Sequence, residues 1–324
     1  MMIPHNFRRT VLTLAATLVL AAQQAPAYAA EDGWPRQVTH EAGTLTVEKK
    51  PQRVVSTTPS VTGVLLAIDA PVIASAATTP GSLTDAKGFF SQWAGVADER
   101  GVEVLYPRLA FDIEAIIGRD PDLVISSATG ADATAQHHAE LTAQGLPTIV
   151  VNYSNHSWQE LATNLGKALG LETEAAAAIA RFDAYAAETA AAITPPEGKA
   201  TIVAYNVGGS YSIGRPSSPQ AQVLTSLGFD MVGLPPALAS QVTRSSDFDF
   251  ISRENLSSAI IGDTVFLLNG TRADVDAFLA DPVLANLPAV VNKRVYPLGP
   301  TSFRIDYYSG RQMIDTVARN FRRS

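Results

Sequence analysis

The sequence predicts an α/β protein of two lobes with mostly parallel sheets, the lobes joined by a single long helix. Three observations predict it. Short apolar runs that end in small polar residues recur along the chain, each followed by a helical stretch, which is the rhythm of parallel strands covered by helices. The rhythm stops once, between Ser157 and Ile193, where no strand signal occurs and alanine dominates. It then restarts and runs on toward the C-terminus.

In chain order, the first element is a leader. Arg8 and Arg9, an apolar run from Val11 to Ala22, and the small-residue stretch Ala27-Tyr28-Ala29 are the three parts of a secretory signal. We expect a signal peptide over 1–29, cleaved after Ala29. The apolar run is shorter than the roughly 20 residues a membrane span needs, so the exported product is expected to be soluble and retained in the periplasm. The chain has no cysteine, which excludes disulfides, thiolate metal sites, thiol nucleophiles and a lipidated N-terminal cysteine. Loss of Arg8 and Arg9 with the leader leaves 22 basic against 31 acidic residues, a net charge near −9. Nucleic acid is not a partner for such a surface.

An N-terminal lobe is expected over 30–156. Its strands are read at Thr44-Leu45-Thr46-Val47, Arg53-Val54-Val55, Val72-Ile73-Ala74, Leu123-Val124-Ile125 and Thr148-Ile149-Val150-Val151. Open parallel sheets bind ligands at the carboxyl ends of their strands. The loops there, holding Thr57, Thr79, Ser126 to Gly130 and Asn152 to Ser154, are therefore expected to face one cleft, with Thr57 and Thr79 as candidate contacts.

A connecting helical segment follows over 157–196. Its alanine-rich core, residues 172–193, has acidic residues at its start and is stopped by Pro195-Pro196, as a long helix should be. At 1.5 Å per residue it spans about 33 Å, roughly one lobe's width. The C-terminal lobe, 197–324, then repeats the pattern with strands at 200–205, 264–268 and 294–298 and helices at 220–227, 273–279 and 308–321. Residues 206–215 are read as a cleft loop.

Catalytic equipment is missing from the pattern. His40, His137, His138 and His156 have no metal-ligand spacing, and no phosphate loop or nucleophile elbow occurs. We therefore expect no enzyme, no cofactor and no metal held by the protein itself. The loops offer instead arginine beside aromatic rings: Tyr106 and Arg108, Tyr211 and Arg215, Arg244 and Phe248, Phe303 and Arg304. Guanidinium groups stay charged, donate hydrogen bonds in a plane and stack on rings, which suits a large anionic aromatic ligand.

Longer patterns carry a resemblance. Pro51-Gln52-Arg53-Val54-Val55-Ser56, Ile113-Glu114-Ala115-Ile116 with Pro121-Asp122-Leu123-Val124-Ile125, and Ile251-Ser252-Arg253-Glu254-Asn255-Leu256 resemble the iron-siderophore binding proteins of ABC importers, the periplasmic class in which a rigid helix joins two lobes. A closer likeness, to members that carry ferric enterobactin, is found at residues 32–37, 65–75, 125–130 and 287–290 and in Phe303-Arg304-Ile305-Asp306-Tyr307-Tyr308-Ser309. The resemblance implies a monomer that binds an iron(III)–catecholate complex, whose iron keeps its siderophore ligands, and delivers it to an inner-membrane ABC permease and its ATPase. It implies that Arg304 and Phe303, then Arg244, contact the ligand, with Arg108 and Arg215 inferred from loop position. It also implies that Glu114 and Glu254, one on each lobe, dock on the permease. The loop 81–87 departs from those relatives, so the preferred catecholate stays open. Two other readings stay open as well. One is a haem or cobalamin carrier of the same fold, with Tyr153, Tyr205 or His156 as an axial ligand. The other is a bilobal metal-dependent enzyme.

Overall fold

A computed structural model describes Met1 and residues 33–323, apart from Asn155, Gly208, Ser245 and Ser246 and the side chains of Val207 and Arg244. The expected leader and its cleavage site, and Asp32, lie outside the described residues. The described chain opens with a hairpin, β1 (Arg36–His40) and β2 (Gly43–Val47). There follow β3 (Val54–Ser56), α1 (Pro59–Ala67), β4 (Val72–Ser75), α2 (Ser91–Glu99), β5 (Glu103–Val104), α3 (Ile113–Ile117), β6 (Leu123–Ser127), α4 (His138–Ala143) and β7 (Thr148–Val151). Then come α5 (Trp158–Leu169), α6 (Glu172–Ala192), β8 (Lys199–Val207), β9 (Ser210–Gly214), α7 (Pro219–Ser226), β10 (Asp230–Met231), β11 (Thr243–Arg244) and β12 (Phe248–Ile251). The last elements are α8 (Leu256–Ala259), β13 (Thr264–Leu267), α9 (Arg272–Ala280), α10 (Pro288–Val291), β14 (Val295–Pro297) and α11 (Tyr307–Phe321).

The first sheet has the order β5-β4-β3-β6-β7 and is parallel throughout. Its central strands are buried on both faces, which is why they read as unbroken apolar runs. The second sheet, β11-β12-β9-β8-β13-β14 with β10 on the start of β8, is mixed. Strands β10, β13 and β14 run parallel to their neighbours, whereas the β8–β9, β9–β12 and β12–β11 pairs are antiparallel. The stretch 206–215 is thus a hairpin arm and not a loop.

The connecting segment is two helices. Gly170, with φ +68°, ends α5 in the left-handed region, where glycine carries no steric penalty. Ser157 and Glu160 form a capping box at its start. Helix α6 buries Ala175, Ala178, Phe182 and Ala186, positions three and four apart that make one face. The small residues let α5 and α11 lie close against it. Helix α11 also reaches α1 and α2 of the first lobe, so the chain crosses between the lobes twice.

The core follows from that crossing. Val54, Leu123 and Ile125 of the first sheet, Phe182 of α6, Ile202 and Phe266 of the second sheet, and Met313 and Val317 of α11 belong to one continuous apolar cluster. The outer faces of the sheets have separate, smaller clusters, one around Val55, Val124 and Leu141 and one around Val203, Val265 and Phe278. Two α/β halves would have two cores if they packed independently; here each sheet turns one face to a shared helical layer.

Candidate ligand cleft

The carboxyl ends of the first sheet are closed by a hydroxyl network. Ser126 Oγ lies 2.7 Å and Thr57 Oγ1 2.6 Å from Thr134 Oγ1, and Thr57 Oγ1 also donates to the Ile125 carbonyl at 3.2 Å. Thr57 is 1% exposed, so its hydroxyl braces the loop and does not line the cleft. Asp132, also buried, ties three segments together. Its Oδ2 accepts from the Thr58 hydroxyl at 2.6 Å and the Ser60 amide at 2.9 Å, at the start of α1, and its Oδ1 accepts from the Tyr153 phenol at 2.5 Å. Burial, then the Asp132 charge, pushes the Tyr153 phenol up to about 12. Gly130, at φ +87°, lies against the tip of that ring, and a Cβ there would overlap the phenol oxygen.

Against this floor stands the segment from Phe303 to Tyr308. The Arg304 guanidinium carbon lies 4.1 Å from the centre of the Tyr153 ring, a cation–π geometry. The Phe303 ring meets Phe90 of the first lobe edge-on at 5.3 Å. Asp306 caps α11 by accepting from the Tyr308 and Ser309 amides, both at 2.8 Å. It is buried against Gly63 of α1, where a Cβ would strike its Oδ2 and come within 2.9 Å of Trp93 Cδ1. Tyr307 packs on Trp158 and Phe182 with ring centres 5.8 and 6.2 Å away. One motif therefore both presents Arg304 and fastens the second lobe to the first.

The other arginines are placed differently. Arg215 has its Nε 3.8 Å from Asp249 Oδ1, and its amide donates to the Asp247 carbonyl at 2.9 Å. Asp247 faces Arg304 and Arg215, and burial raises its carboxyl pKa despite their charges. It lines a groove of about 400 Å³ between the lobes, with Ser154, His156 and Glu160 on one side and Ser217 and Gln222 on the other. Arg244 pairs through its backbone with Asp249 across β11 and β12, and its side chain lies outside the described residues. Arg108, at φ +56°, and Thr79 are exposed on the loops beyond β5 and β4. The Leu109 amide fastens the first of these loops to the Ala77 carbonyl at 2.8 Å.

Glu114 and Glu254 are both exposed. Glu114 lies in the first turn of α3, which Asp112 caps by accepting from the Ala115 amide. Glu254 lies in a single 3₁₀ turn, residues Arg253–Asn255, where its own amide and the Ser252 hydroxyl hold its carboxyl below the usual range. Asp281 pins that turn by taking Arg253 Nη2 at 3.0 and 3.2 Å. It also accepts from the Tyr205 phenol at 2.7 Å. Tyr153 and Tyr205, two side chains a haem carrier would offer, thus both donate their phenol protons to carboxylates.

Among the described residues no group of three or more His, Asp or Glu is placed to hold a metal ion, and no helix is long and apolar enough to cross a membrane. Sequence reasoning missed Asp132 and Asp247. Asp132 follows the small-residue stretch after β6, a signal of a strand-end loop, but nothing local marks its tie to Tyr153.

The arrangement matches known proteins across most of its length. Residues 54–301 match the family described as periplasmic binding protein. The chain belongs to that family. Within the periplasmic binding protein family it is 43% identical over 292 residues, 89% of this chain and 91% of the relative, to the ferric enterobactin-binding periplasmic protein FepB of Escherichia coli. The crystal structure of holo-ViuP superposes with a TM-score of 0.81 at 39% identity, covering 90% of this chain and 96% of that one. The periplasmic catecholate-siderophore binding protein VctP from Vibrio cholerae shares the fold, with a TM-score of 0.59 at 18% identity over 88% of this chain and 98% of its own. A family of binding proteins agrees with the expectation of a chain that catalyses nothing.

Proposed function

We propose that the chain is the periplasmic component of an ABC importer. It holds an iron(III)–catecholate complex of the enterobactin type between its lobes and, as a monomer, hands it to the inner-membrane permease and its ATPase. The division into a leader at 1–29, lobes at 30–156 and 197–324 and a connector at 157–196 belongs to this proposal. The observation that carries it is the Arg304 guanidinium held between the lobes on an aromatic face beside Phe303, in a chain 43% identical to a ferric enterobactin-binding protein. A ferric tris-catecholate is anionic, with flat rings outward and its iron already coordinated. Charge-assisted hydrogen bonds from arginine to its oxygens and stacking on its rings supply affinity without any ligand to iron from the protein. Haem is less well served, because the Tyr153 and Tyr205 phenols are committed to Asp132 and Asp281, which leaves His156 alone of the three candidate axial ligands.

Titration with ferric enterobactin, a ferric hydroxamate and haem, followed by quenching of the buried tryptophans, tests this proposal. Saturable binding of the catecholate is expected; saturation by haem alone would overturn it. Glu114 and Glu254 serve the hand-over. The double variant Glu114→Ala, Glu254→Ala is expected to bind the ligand as the wild type does and to lose uptake in cells. Uptake at the wild-type rate would remove them from docking.

A further inference from the structure

Arg304 comes from the second lobe, yet the ring beneath it belongs to the first. Tyr153 follows β7, is 4% exposed, and is held at its phenol end. Its phenol is anchored on Asp132 at 2.5 Å, and Asp132 is itself anchored on Thr58 and Ser60 at the start of α1. Its phenol tip lies against Gly130, where no larger residue fits. A tyrosine present only to fill space would not need a buried carboxylate for its hydroxyl, since a phenylalanine of the same shape needs no partner. What the anchoring achieves is a ring of fixed position and tilt, and the group lying on that ring is the Arg304 guanidinium at 4.1 Å. An unsupported arginine side chain has many rotamers, and ordering it on binding costs free energy.

We infer that Tyr153, locked by Asp132, is a positioning residue that presets Arg304 for an anionic aromatic ligand. This rests on the ligand class proposed above. The cation waits on a ring of the opposite lobe, with the Asp247 carboxyl facing it as the anionic ligand would. Part of the ordering is thereby done before the ligand arrives. The same contact measures the distance between the lobes, because it holds only when β7 and the Phe303–Tyr308 segment stand as they do here.

A double-mutant cycle with ferric enterobactin as the probe tests the inference. Tyr153→Leu keeps a smaller apolar side chain and removes the π face, and is expected to weaken binding roughly five- to tenfold, the range of a half-buried cation–π contact. In an Arg304→Ala background the same change is expected to alter affinity less than about twofold, because the group it positions is gone. Tyr153→Phe keeps the ring but loses its anchor on Asp132, and is expected to weaken binding about two- to threefold, less than Tyr153→Leu, with a ring-current shift of the Arg304 Nε–H resonance smaller than in the wild type but not lost as in Tyr153→Leu. An undiminished Tyr153→Leu effect in the Arg304→Ala background, or no effect in the wild type, would overturn the inference. If Tyr153→Leu does not fold, a large affinity loss in Tyr153→Phe with the shifted resonance intact overturns it instead. Should Arg304→Ala itself leave binding unchanged, the ligand proposal fails, a separate outcome from failure of the tyrosine's role.

Discussion

At the cleft, the first lobe's hydroxyls at Ser126, Thr57 and Thr134 bond to one another and to backbone carbonyls and stay out of solvent, whereas the second lobe brings forward Phe303, Arg304 and Arg215, each half-buried. The parallel sheet on one side supplies a floor whose polar groups are already satisfied. The mixed sheet and the α11 motif on the other supply the cations. A cleft made in this way keeps its shape when empty, since satisfied buried groups have nothing to gain by rearranging. Its ligand selectivity rests on a few long side chains.

The shared core extends that contrast into mechanics. Phe182 of α6 and Met313 of α11 belong to the same apolar cluster as Leu123 of the first sheet and Phe266 of the second. Large hinge motion would open that cluster, and full exposure of a side chain of this size costs about 2–3 kcal/mol. Closure of the lobes is therefore expected to be modest.

The comparison is most severely tested by breaking the floor. Gly130→Ala puts a methyl into the Tyr153 phenol at a backbone angle of φ +87° and is expected to cost about 3 kcal/mol in denaturant unfolding. It should also weaken ligand binding by tilting the ring beneath Arg304. Unchanged stability would mean that the floor is not braced as described.

A smaller effect concerns the fastening. Full burial raises the Asp306 carboxyl above its ordinary pKa, so the folded state holds that proton more tightly than the unfolded chain. The stability this group contributes is greatest below the ordinary carboxylate value of about 4 and is lost as pH rises through the folded pKa. Asp306→Asn keeps an oxygen to cap α11 but has no proton to lose. Its stability is expected to fall less than the wild type's over that window when unfolding is followed against pH. Parallel curves would show that Asp306 ionises at no cost.

The strands of the first sheet were legible because burial on both faces makes them continuous apolar runs, α6 because helix formers fill a long stretch with a clear start, and α11 because Met313, Ile314, Val317, Ala318 and Phe321 recur at helical spacing. The antiparallel arm was not. Strands β9, β11 and β12 are short, their segments hold glycine, serine and aspartate, and they are framed only by pairing with partners distant in sequence. Arg304 stood out because its motif is long. The use of that motif as a fastening of Asp306 into Gly63 could not be read, since a glycine in a helix says nothing about which side chain approaches it. Thr57 was legible as a strand-end residue but not as a brace, because its partner Thr134 lies on another loop.

The central claim is that a second-lobe cation, set on a first-lobe ring, binds an anionic catecholate complex. Titrating wild type and Arg304→Ala with ferric enterobactin tests it most directly, with Trp93, whose ring centre lies 6.2 Å from that of Phe90, as a reporter near the cleft. Saturable quenching in the wild type and a dissociation constant raised roughly ten- to a hundredfold in the variant, the loss of hydrogen bonds to a charged group, are predicted. Equal dissociation constants for the two proteins would contradict the account.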